Sequence, residues 1–441
     1  MFKTLKNAWK TPDLQKKMFF TLIVILLYRL GACICVPYVS SGIASSFTSL
    51  YGTSVLGMMS VLSGGAMQYA TLFALSVSPY ITASIVMQLL TIAIPPLERM
   101  AKDGANGQKK INTITRFVTV ALALITSIGY SMLLNTNGWL VRNDFFAMVV
   151  INACFCAGAA LVMWLAELVN DKGIGNGISV ILCINIIASF PSLAQSVASG
   201  ITKDTWLVGT LVAVLVVVVA IAAVGFIVFV TNSERRIPIQ YAKRVVGRKM
   251  YGGQSTNLPI KLNMSGVMPI LFAPSIVSIP ATIAAFIPNE ENGFVKFVNS
   301  FLGTTSWLYL VLFLVLTIAF SYFYVMISFN PVEVANNINS NGGAIPGHRP
   351  GRPTVQYINR ILKRVTLIGA FFLCIVAGVP MLITVISAAL ANAGISVPSS
   401  LTTYAMTFGG SSLLIVVGVV LETVRDIEAQ LSMRQSKGFL G

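Results

Sequence analysis

Charge is scarce in this chain, and histidine is almost absent. Only 10% of the 441 residues are charged, whereas an average soluble domain has about 25%. His348 is the single histidine, so a zinc-protease motif with two histidines is excluded. The chain also lacks the G-x-x-x-x-G-K-[ST] loop that binds ATP phosphates. These absences argue against a soluble domain, a metalloprotease and a P-loop ATPase.

Long apolar segments are what the chain has instead, with 56% of its residues hydrophobic and a mean hydropathy of +0.81. A helix needs about 20 apolar residues to cross a bilayer. We therefore predict an all-α integral membrane protein with ten transmembrane helices. They cover about residues 18–38, 72–94, 114–134, 146–169, 177–193, 206–230, 265–287, 307–329, 365–386 and 404–422. The first span lacks a small-residue cleavage site, so we expect it to be retained rather than removed.

Basic residues are distributed unevenly between the connecting loops. The chain has 30 lysines and arginines against 14 acidic residues. One set of loops and both termini hold nearly all of the basic residues outside the spans, and the opposite loops hold only Arg142, Lys203 and Lys296. Cytoplasmic loops carry the excess of Lys and Arg. The distribution predicts that both termini are cytoplasmic.

Two of the basic loops, about residues 231–264 and 330–364, are each more than thirty residues long. The first contains Arg236-Ile-Pro-Ile-Gln-Tyr, whose alternating apolar positions predict a short strand or hairpin. The second contains a Gly- and Pro-rich run around His348 and Arg349, which predicts a rigid turn with positive charge at its tip. Attraction to lipid headgroups explains many basic loops. Their length and paired placement favour a docking platform for a large cytoplasmic partner.

The segment 56–90 is an apolar stretch that is interrupted at Gly64-Gly65. Its later part carries several polar side chains and a proline, which are Ser76, Ser78, Pro79, Tyr80, Thr82, Ser84 and Gln88. Broken helices are tolerated at membrane depth where they are buried in protein or line an aqueous cavity. The segment therefore indicates a pathway through the membrane.

Ionisable residues are rare inside the predicted spans. Arg29 is the clear exception, and Glu167 and Glu422 lie near span ends. Proton-driven carriers usually have mid-membrane carboxylates or histidines, so this scarcity argues against such a carrier. Arg29 is either a functional site or a structural cation paired with carbonyl groups, and we favour the structural interpretation.

Six cysteines lie in the apolar segments, at positions 33, 35, 154, 156, 183 and 374. The two C-x-C pairs raise the alternative of a metal site, but His348 is far away in the sequence. Free cysteines are usually buried and behave as small apolar residues. We expect buried, inert thiols and predict no metal and no cofactor.

Three collinear blocks together resemble the SecY family of protein-conducting channels. They are residues 63–67 (SGGAM) continued by 78–90 (SPYITASIVMQLL), residues 164–179 (WLAELVNDKGIGNGIS) and residues 233–244 (SERRIPIQYAKR). Residues 346–351 (PGHRPG) and 408–417 (FGGSSLLIVV) support the match. The blocks cover nearly the whole chain, and the bacterial form of the family fits best.

The resemblance implies an hourglass channel made of two pseudo-symmetric halves of five spans, residues 1–193 and 194–441. Its waist would be a ring of aliphatic side chains, carried over by motif to Val77, Ile81, Leu182, Ile186, Leu271 and Ile415. A short helix at about 55–69 would plug the channel from outside; its named positions are Met58, Met59, Leu62, Gly64 and Gly65. An apolar plug of this kind is expected to seat without strong polar bonds.

The resemblance also implies a lateral gate between spans 2 and 7, through which membrane segments reach the lipid. Pro79, Pro269 and Pro274 would weaken helix regularity at this seam. Arg349 matches an arginine on which motor coupling depends, and Arg248 and Lys249 match positions that meet the ribosome or motor. The expected partners are the SecE and SecG subunits, the SecA motor ATPase, translating ribosomes, signal sequences, nascent polypeptides and membrane lipids.

The predicted function is therefore a non-enzymatic channel for secretory polypeptides in the bacterial cytoplasmic membrane. Two alternatives remain open from the residues themselves. One is a secondary transporter with a solute site at the broken second span. The other is a membrane receptor that anchors ribosomes and conducts nothing.

Overall fold

A computed structural model describes most of the chain, namely residues 9–40, 42–51, 55–200, 206–241, 244–246, 249–251, 255–285, 293–301, 303, 306–392 and 410–437. Helices dominate this part of the chain, and the strands lie in or directly beside the two long loops. The mainly helical fold agrees with the predicted class of membrane protein.

The first half of the chain contains the helices α1 to α8. They are α1 (Pro12–Cys33), α2 (Ile43–Tyr51), α3 (Val55–Leu62), α4 (Ser78–Ala93), α5 (Pro95–Lys102), α6 (Gly104–Thr136), α7 (Phe145–Lys172) and α8 (Gly177–Gly200). The predicted boundary between residues 193 and 194 falls inside α8, so this span ends later than its apolar pattern predicts.

The described residues of the remainder form seven helices and five strands. The helices are α9 (Trp206–Asn232), α10 (Met268–Ala285), α11 (Gly293–Phe301), α12 (Trp307–Ser328), α13 (Pro331–Ser340), α14 (Arg352–Asn392) and α15 (Gly410–Lys437). The strands are β1 (Glu234–Tyr241), β2 (Arg244–Val246), β3 (Lys249–Tyr251), β4 (Ser255–Lys261) and β5 (Gly343–Ala344).

A helix overlaps each of the ten predicted spans, but the helices differ in how well they could cross a bilayer. Four described stretches are long and apolar enough, at 106–136, 145–172, 307–340 and 352–387. The pair α4 and α5 would add a fifth, although its two axes are bent by 101°. The count of ten stays a prediction.

The predicted second span is shorter as a helix than its apolar pattern indicates. Residues 72–77 form turns, and α4 begins at Ser78 with Pro79 in its first turn. Proline fits there because the first helical N–H groups need no partner within the helix. Pro79 therefore starts α4 rather than weakening it, and Pro269 is likewise the second residue of α10. Pro274 does lie inside α10, as expected.

A three-stranded antiparallel sheet has the order β4-β1-β5. Strand β1 pairs with β4 along the whole strand, from Glu234 opposite Lys261 to Gln240 opposite Ser255. Its end pairs with β5, where Tyr241 lies opposite Gly343. The strand predicted in the first loop is confirmed, and the sheet joins that loop to the second one.

Of the three largest buried apolar clusters in the described part of the chain, two fill the helical body and the third lies under the sheet. The largest includes residues from α1, α4, α7, α8, α9, α10, α12, α14 and α15. The third is formed by Ile237, Ile239 and Ile260 of the sheet together with apolar residues of α12, α13 and α14. The sheet thus has a small core of its own.

The cysteines differ from the expectation of uniformly buried thiols. Cys183 is buried, and three others are partly buried. Cys33 and Cys35 are exposed, so the expectation is wrong for this pair. The reason is that Cys33 is the last residue of α1 and Cys35 lies in the extended segment beyond it, on the outside of the helix bundle.

Candidate functional site

The six residues predicted to form an aliphatic ring lie together in the largest apolar cluster. Val77 directly precedes α4 and Ile81 is in its first turn, where the Ile81 N–H donates to the Val77 carbonyl at 3.0 Å. Leu182 and Ile186 are four residues apart on α8, so they share one helix face. Leu271 comes from α10 and Ile415 from α15. All six are at most 9% exposed.

A cavity of about 530 Å³ has three of these ring residues in its lining. The ring residues are Leu182, Leu271 and Ile415. The rest of its lining includes charged side chains from β4 and α15, which are Lys261, Glu422, Arg425 and Asp426. The cavity therefore connects a charged region beside the sheet with the aliphatic ring.

The charges around this cavity are arranged by contacts between elements. Arg425 of α15 donates to the Asn232 Oδ1 at 2.9 Å, at the end of α9. Burial lowers the pKa of the Lys261 ammonium, and the nearby Arg425 lowers this pKa further. Glu234 and Glu422 act in the opposite direction by stabilising the charged form of Lys261. The mouth of the cavity is thus a mixed-charge surface.

The short helix α3 occupies the position predicted for the plug, and it packs against α8. It ends at Leu62, and the chain reverses through Gly64 and Gly65, whose φ angles are +67° and +84°. Glycine adopts this left-handed conformation without steric cost. Met59 and Leu62 are partly buried, whereas the side chain of Met58 lies outside the described part.

One polar side chain contacts the end of α3. The Nδ2 of Asn185 of α8 lies within hydrogen-bond distance of three oxygens, which are the Leu62 carbonyl at 3.0 Å, the Tyr28 Oη at 2.8 Å and the Ser76 Oγ at 3.1 Å. The two amide hydrogens are shared among these acceptors. Asn185, Tyr28 and Ser76 are all buried. The C-terminal end of α3 therefore has a polar contact in addition to its apolar packing.

The charge pattern of the spans does not indicate Asn185, because its amide is not ionisable. A buried amide in an otherwise aliphatic helix is costly unless it finds hydrogen-bond partners. The lone Asn in the run Val180-Ile-Leu-Cys-Ile-Asn-Ile-Ile was the available signal.

The segment between α3 and α4 is fixed to neighbouring helices. The Leu72 N–H donates to the Ile34 carbonyl at 2.8 Å, and the Tyr130 hydroxyl donates to the Met67 carbonyl. A Cβ on Gly158 of α7 would lie 1.9 Å from the Leu72 carbonyl oxygen, so the two backbones are in close contact. The chain between α3 and α4 is therefore anchored to neighbouring elements.

Helices α4 and α10, which correspond to predicted spans 2 and 7, contact each other. Ile81 and Leu271 place ring residues on both of them. The two helices predicted to form the lateral gate are therefore in contact beside the aliphatic cluster.

The predicted docking residues lie at or near the sheet. Arg349 is exposed, and its carbonyl accepts a hydrogen bond from the Thr354 hydroxyl at 2.9 Å. The His348 and Tyr357 rings pack with centroids 4.1 Å apart, so the turn is held against α14. Lys249 lies in β3, opposite Val246, while Arg248 lies outside the described residues.

Arg29 has the contact expected of a structural cation. Its Nη2 donates to the Ile184 carbonyl of α8 at 3.3 Å. The side chain is partly buried, and it links α1 to the helix that carries two of the ring residues.

Comparison with known proteins gives a consistent result across the chain. A model of the SecY family matches residues 71–424. The protein translocase subunit SecY of Streptomyces coelicolor is 42% identical, and the alignment covers 100% of both chains.

Solved structures extend the comparison to the fold. One is a SecY channel whose plug domain is described as stabilising the closed state and maintaining a membrane seal. It has a TM-score of 0.60 and 16% identity, with 94% of this chain and 92% of that chain covered. Another is Sec61 in a canine ribosome–channel complex from the endoplasmic reticulum, with a TM-score of 0.55, 14% identity and the same coverage. At these identities the two structures show a shared fold.

Proposed function

This chain belongs to the SecY family, and from that premise we propose that it conducts secretory polypeptides across the bacterial cytoplasmic membrane. It is a multi-pass membrane protein of a channel family. The observation that carries the proposal is the convergence of Val77, Ile81, Leu182, Ile186, Leu271 and Ile415 from four separate regions of the chain into one buried cluster.

The proposed mechanism of the ring follows from its chemistry. A constriction lined by aliphatic side chains loses water readily and blocks ions by dewetting. Such side chains offer a passing polypeptide neither charge nor hydrogen bonds. The ring can thus seal around a moving chain without binding it.

In this proposal α3 is the plug, and the residues around it support a movable element. The segment after it is fixed to α1, α6 and α7, whereas α3 itself turns away at two glycines. Displacement about Gly64 and Gly65 would open the outer side while leaving the anchored segment and α4 in place.

The contact between α4 and α10 is the proposed lateral gate. A signal sequence is an apolar helix, so it can intercalate between two helices as an amphipathic helix docks in a groove. Separation of this pair would carry Ile81 away from Leu271, so gate opening and ring widening are expected to be coupled.

The sheet and its loops form the proposed docking platform on the cytoplasmic side. Arg349, Lys249 and Arg248 supply positive charge, and ribosomal RNA is a polyanion whose contacts weaken as salt increases. A translating ribosome and the SecA motor are the proposed partners at this surface. SecE and SecG are the proposed partner subunits in the membrane.

Site-specific crosslinking tests the function directly. A single cysteine replaces Ile81 or Ile415 in a chain without native cysteines, and a secretory protein is stalled midway in membrane vesicles. We expect crosslinks at both positions only with motor and ATP, and none at the control position Ile92, which is exposed on the same helix as Ile81. Absent crosslinks despite verified stalling, together with ion-driven solute uptake, would favour the transporter instead.

A further inference from the structure

Asn185 lies where the proposed ring and the proposed plug meet. It is on α8 between Leu182 and Ile186, and it is 0% exposed. Its cluster neighbours are apolar, so its amide interacts mainly with the three acceptors that it contacts. The amide of Asn185 therefore joins the end of α3 to Tyr28 and Ser76.

The orientation of the amide is fixed by its contact with α3. A backbone carbonyl can only accept, so the Leu62 oxygen requires the Nδ2 of Asn185 rather than its Oδ1. Tyr28 and Ser76 have hydroxyl groups, which can accept or donate. The Leu62 carbonyl is one of the last four of α3, which have no partner within the helix. Asn185 therefore satisfies a group that the helix itself leaves open.

The hydrogen bonding of this amide is incomplete. The Oδ1 of Asn185 is buried and has no hydrogen-bond partner in the described part of the chain. A buried amide with one unsatisfied atom retains part of its desolvation cost, which reduces the net gain from the contact.

The backbone at Gly64 also packs closely against Asn185. A Cβ on Gly64 would lie 3.1 Å from the Asn185 Cα, so the turn after α3 passes directly over this residue. Ser76 has a φ of +49°, which is rare for a residue with a side chain, and it receives a hydrogen bond from Asn185. The same amide thus contacts the end of α3 and the chain that leads into α4.

We propose that Asn185 is a latch that fastens the plug helix to the pore wall and sets how readily the plug is displaced. The inference rests on the proposed channel function and goes beyond it, because it assigns the threshold of opening to one side chain. Without the amide, the Leu62 carbonyl has lost its Asn185 partner while α3 is seated. When α3 moves out, the same carbonyl can hydrogen-bond to water, so the displaced state loses nothing. Loss of the latch therefore favours the displaced state.

The test measures ion efflux from liposomes that contain the full chain in its native membrane complex, without motor or substrate. We expect Asn185→Ala to increase resting efflux about tenfold, since one buried hydrogen bond of ordinary strength corresponds to about that factor. Asn185→Leu is a second variant of similar volume, which serves if the smaller side chain prevents folding. It is expected to leak to the same degree.

Two controls separate the latch from general packing. Asn152→Ala removes another amide whose Oδ1 is also buried without a partner, on α7, and efflux should stay at the parent level. Tyr28→Phe removes a hydroxyl from the network but leaves the bond from Asn185 to Leu62, so its leak should be clearly smaller than that of Asn185→Ala.

Deletion of residues 55–62 distinguishes failure of the latch from failure of the plug. If the deletion leaks but the Asn185 variants leak no more than Asn152→Ala, the latch is refuted and the plug remains. If the deletion itself does not leak, the proposed plug fails and the latch with it. A leak in Tyr28→Phe equal to that of Asn185→Ala would also overturn the latch, because the network would then be acting as packing support.

Discussion

At the scale of single residues, the proposed ring depends on what its side chains lack. The side chains of Ile81 and Ile415 carry no hydrogen-bonding group, and they are 8% and 3% exposed. Water in an aliphatic constriction loses hydrogen bonds that the wall cannot replace, so the constriction stays dry. A single polar substitution is expected to change this balance.

Ile81→Asn is therefore expected to hydrate the constriction and to allow export of proteins with weakly hydrophobic signal sequences. Ile81→Leu, which keeps the side chain aliphatic, should leave the selectivity unchanged. The measurement is the export yield of one secretory protein with a series of signal sequences of decreasing hydrophobicity. Unchanged selectivity in Ile81→Asn would contradict its place in the ring, and Ile415→Asn provides an independent repeat on α15.

Gly158 lies where α7 packs against the backbone of Leu72, so this position has no room for a larger side chain. Because a Cβ there would meet the Leu72 carbonyl at 1.9 Å, Gly158→Ala should lower the free energy of unfolding by about 1–3 kcal/mol. Gly225→Ala is the matched control, since a Cβ at this helical glycine has nothing within 4 Å. It should be neutral or stabilising by up to ~1 kcal/mol.

Thermal unfolding of the detergent-purified variants measures this difference. Equal midpoints for the two alanine variants would show that α7 can move away from Leu72 at little cost. The segment before α4 would then be less firmly anchored than its contacts indicate.

At the scale of elements, Arg349 tests the platform. Arg349→Glu reverses the charge at the exposed tip of the turn, and we expect it to abolish motor-driven export while the protein stays folded and inserted. Arg360→Glu, an exposed arginine on α14, is the control and should retain most export. The readout is ATP-dependent translocation into inside-out vesicles, and normal export by Arg349→Glu would show that this loop assignment is wrong.

Because strands from both long loops pair in one sheet, we expect the two loops to unfold together. Ile239 of β1 is buried in the cluster under the sheet, so Ile239→Ala should destabilise this unit by about 2–5 kcal/mol. Trypsin should then cut both loops faster in inside-out vesicles. Gln240→Ala, an exposed neighbour on the same strand, should leave both rates unchanged, and faster cleavage of one loop alone would contradict a shared unit.

Part of the arrangement could be predicted because local motifs carry it. The positions proposed for the ring come from collinear blocks and lie in one cluster, and the proposed plug helix ends where two glycines allow the chain to reverse. The strand β1 is visible from alternating apolar residues. These features depend on residues that are close together in sequence.

The features that could not be predicted depend on distant residues. Asn185 lies 123 positions from Leu62, so no local pattern indicates their hydrogen bond. The pairing of β5 with β1 joins Gly343 to Tyr241 across α10 and α12. The exposure of Cys33 likewise depends on which face of α1 the other helices cover.

At the scale of the whole molecule, hydrogen bonds between distant segments constrain the number of membrane crossings. The Lys17 ammonium near the start of α1 donates to the Gln430 Oε1 near the end of α15 at 3.1 Å. The Ile174 N–H donates to the Thr21 hydroxyl at 3.1 Å. Segments in direct contact lie at the same membrane face, so the chain crosses an even number of times between them.

The same reasoning applies to the sheet. Since β5 pairs with β1, both long loops lie on one face, and an even number of crossings separates them. Arg425 of α15 bonds to Asn232, which adds the ends of α9 and α15 to that face. The bridge between Val39 and Leu140 joins two loops of the other set. These contacts agree with the alternation expected from the basic residues.

The two faces give a test of the whole arrangement. Single cysteines replace Arg349 and Arg142 in a chain without native cysteines, and an impermeant thiol reagent is added to inside-out vesicles. We expect labelling at Arg349 and none at Arg142, with the reverse in right-side-out cells, because the excess of Lys and Arg keeps the platform on the cytoplasmic side. Labelling of both positions from one side would contradict the predicted alternation of spans, which places Arg142 and Arg349 on opposite faces. An inverted pattern would instead keep the fold and reject the cytoplasmic docking of motor and ribosome, since both partners approach from the side that must carry Arg349.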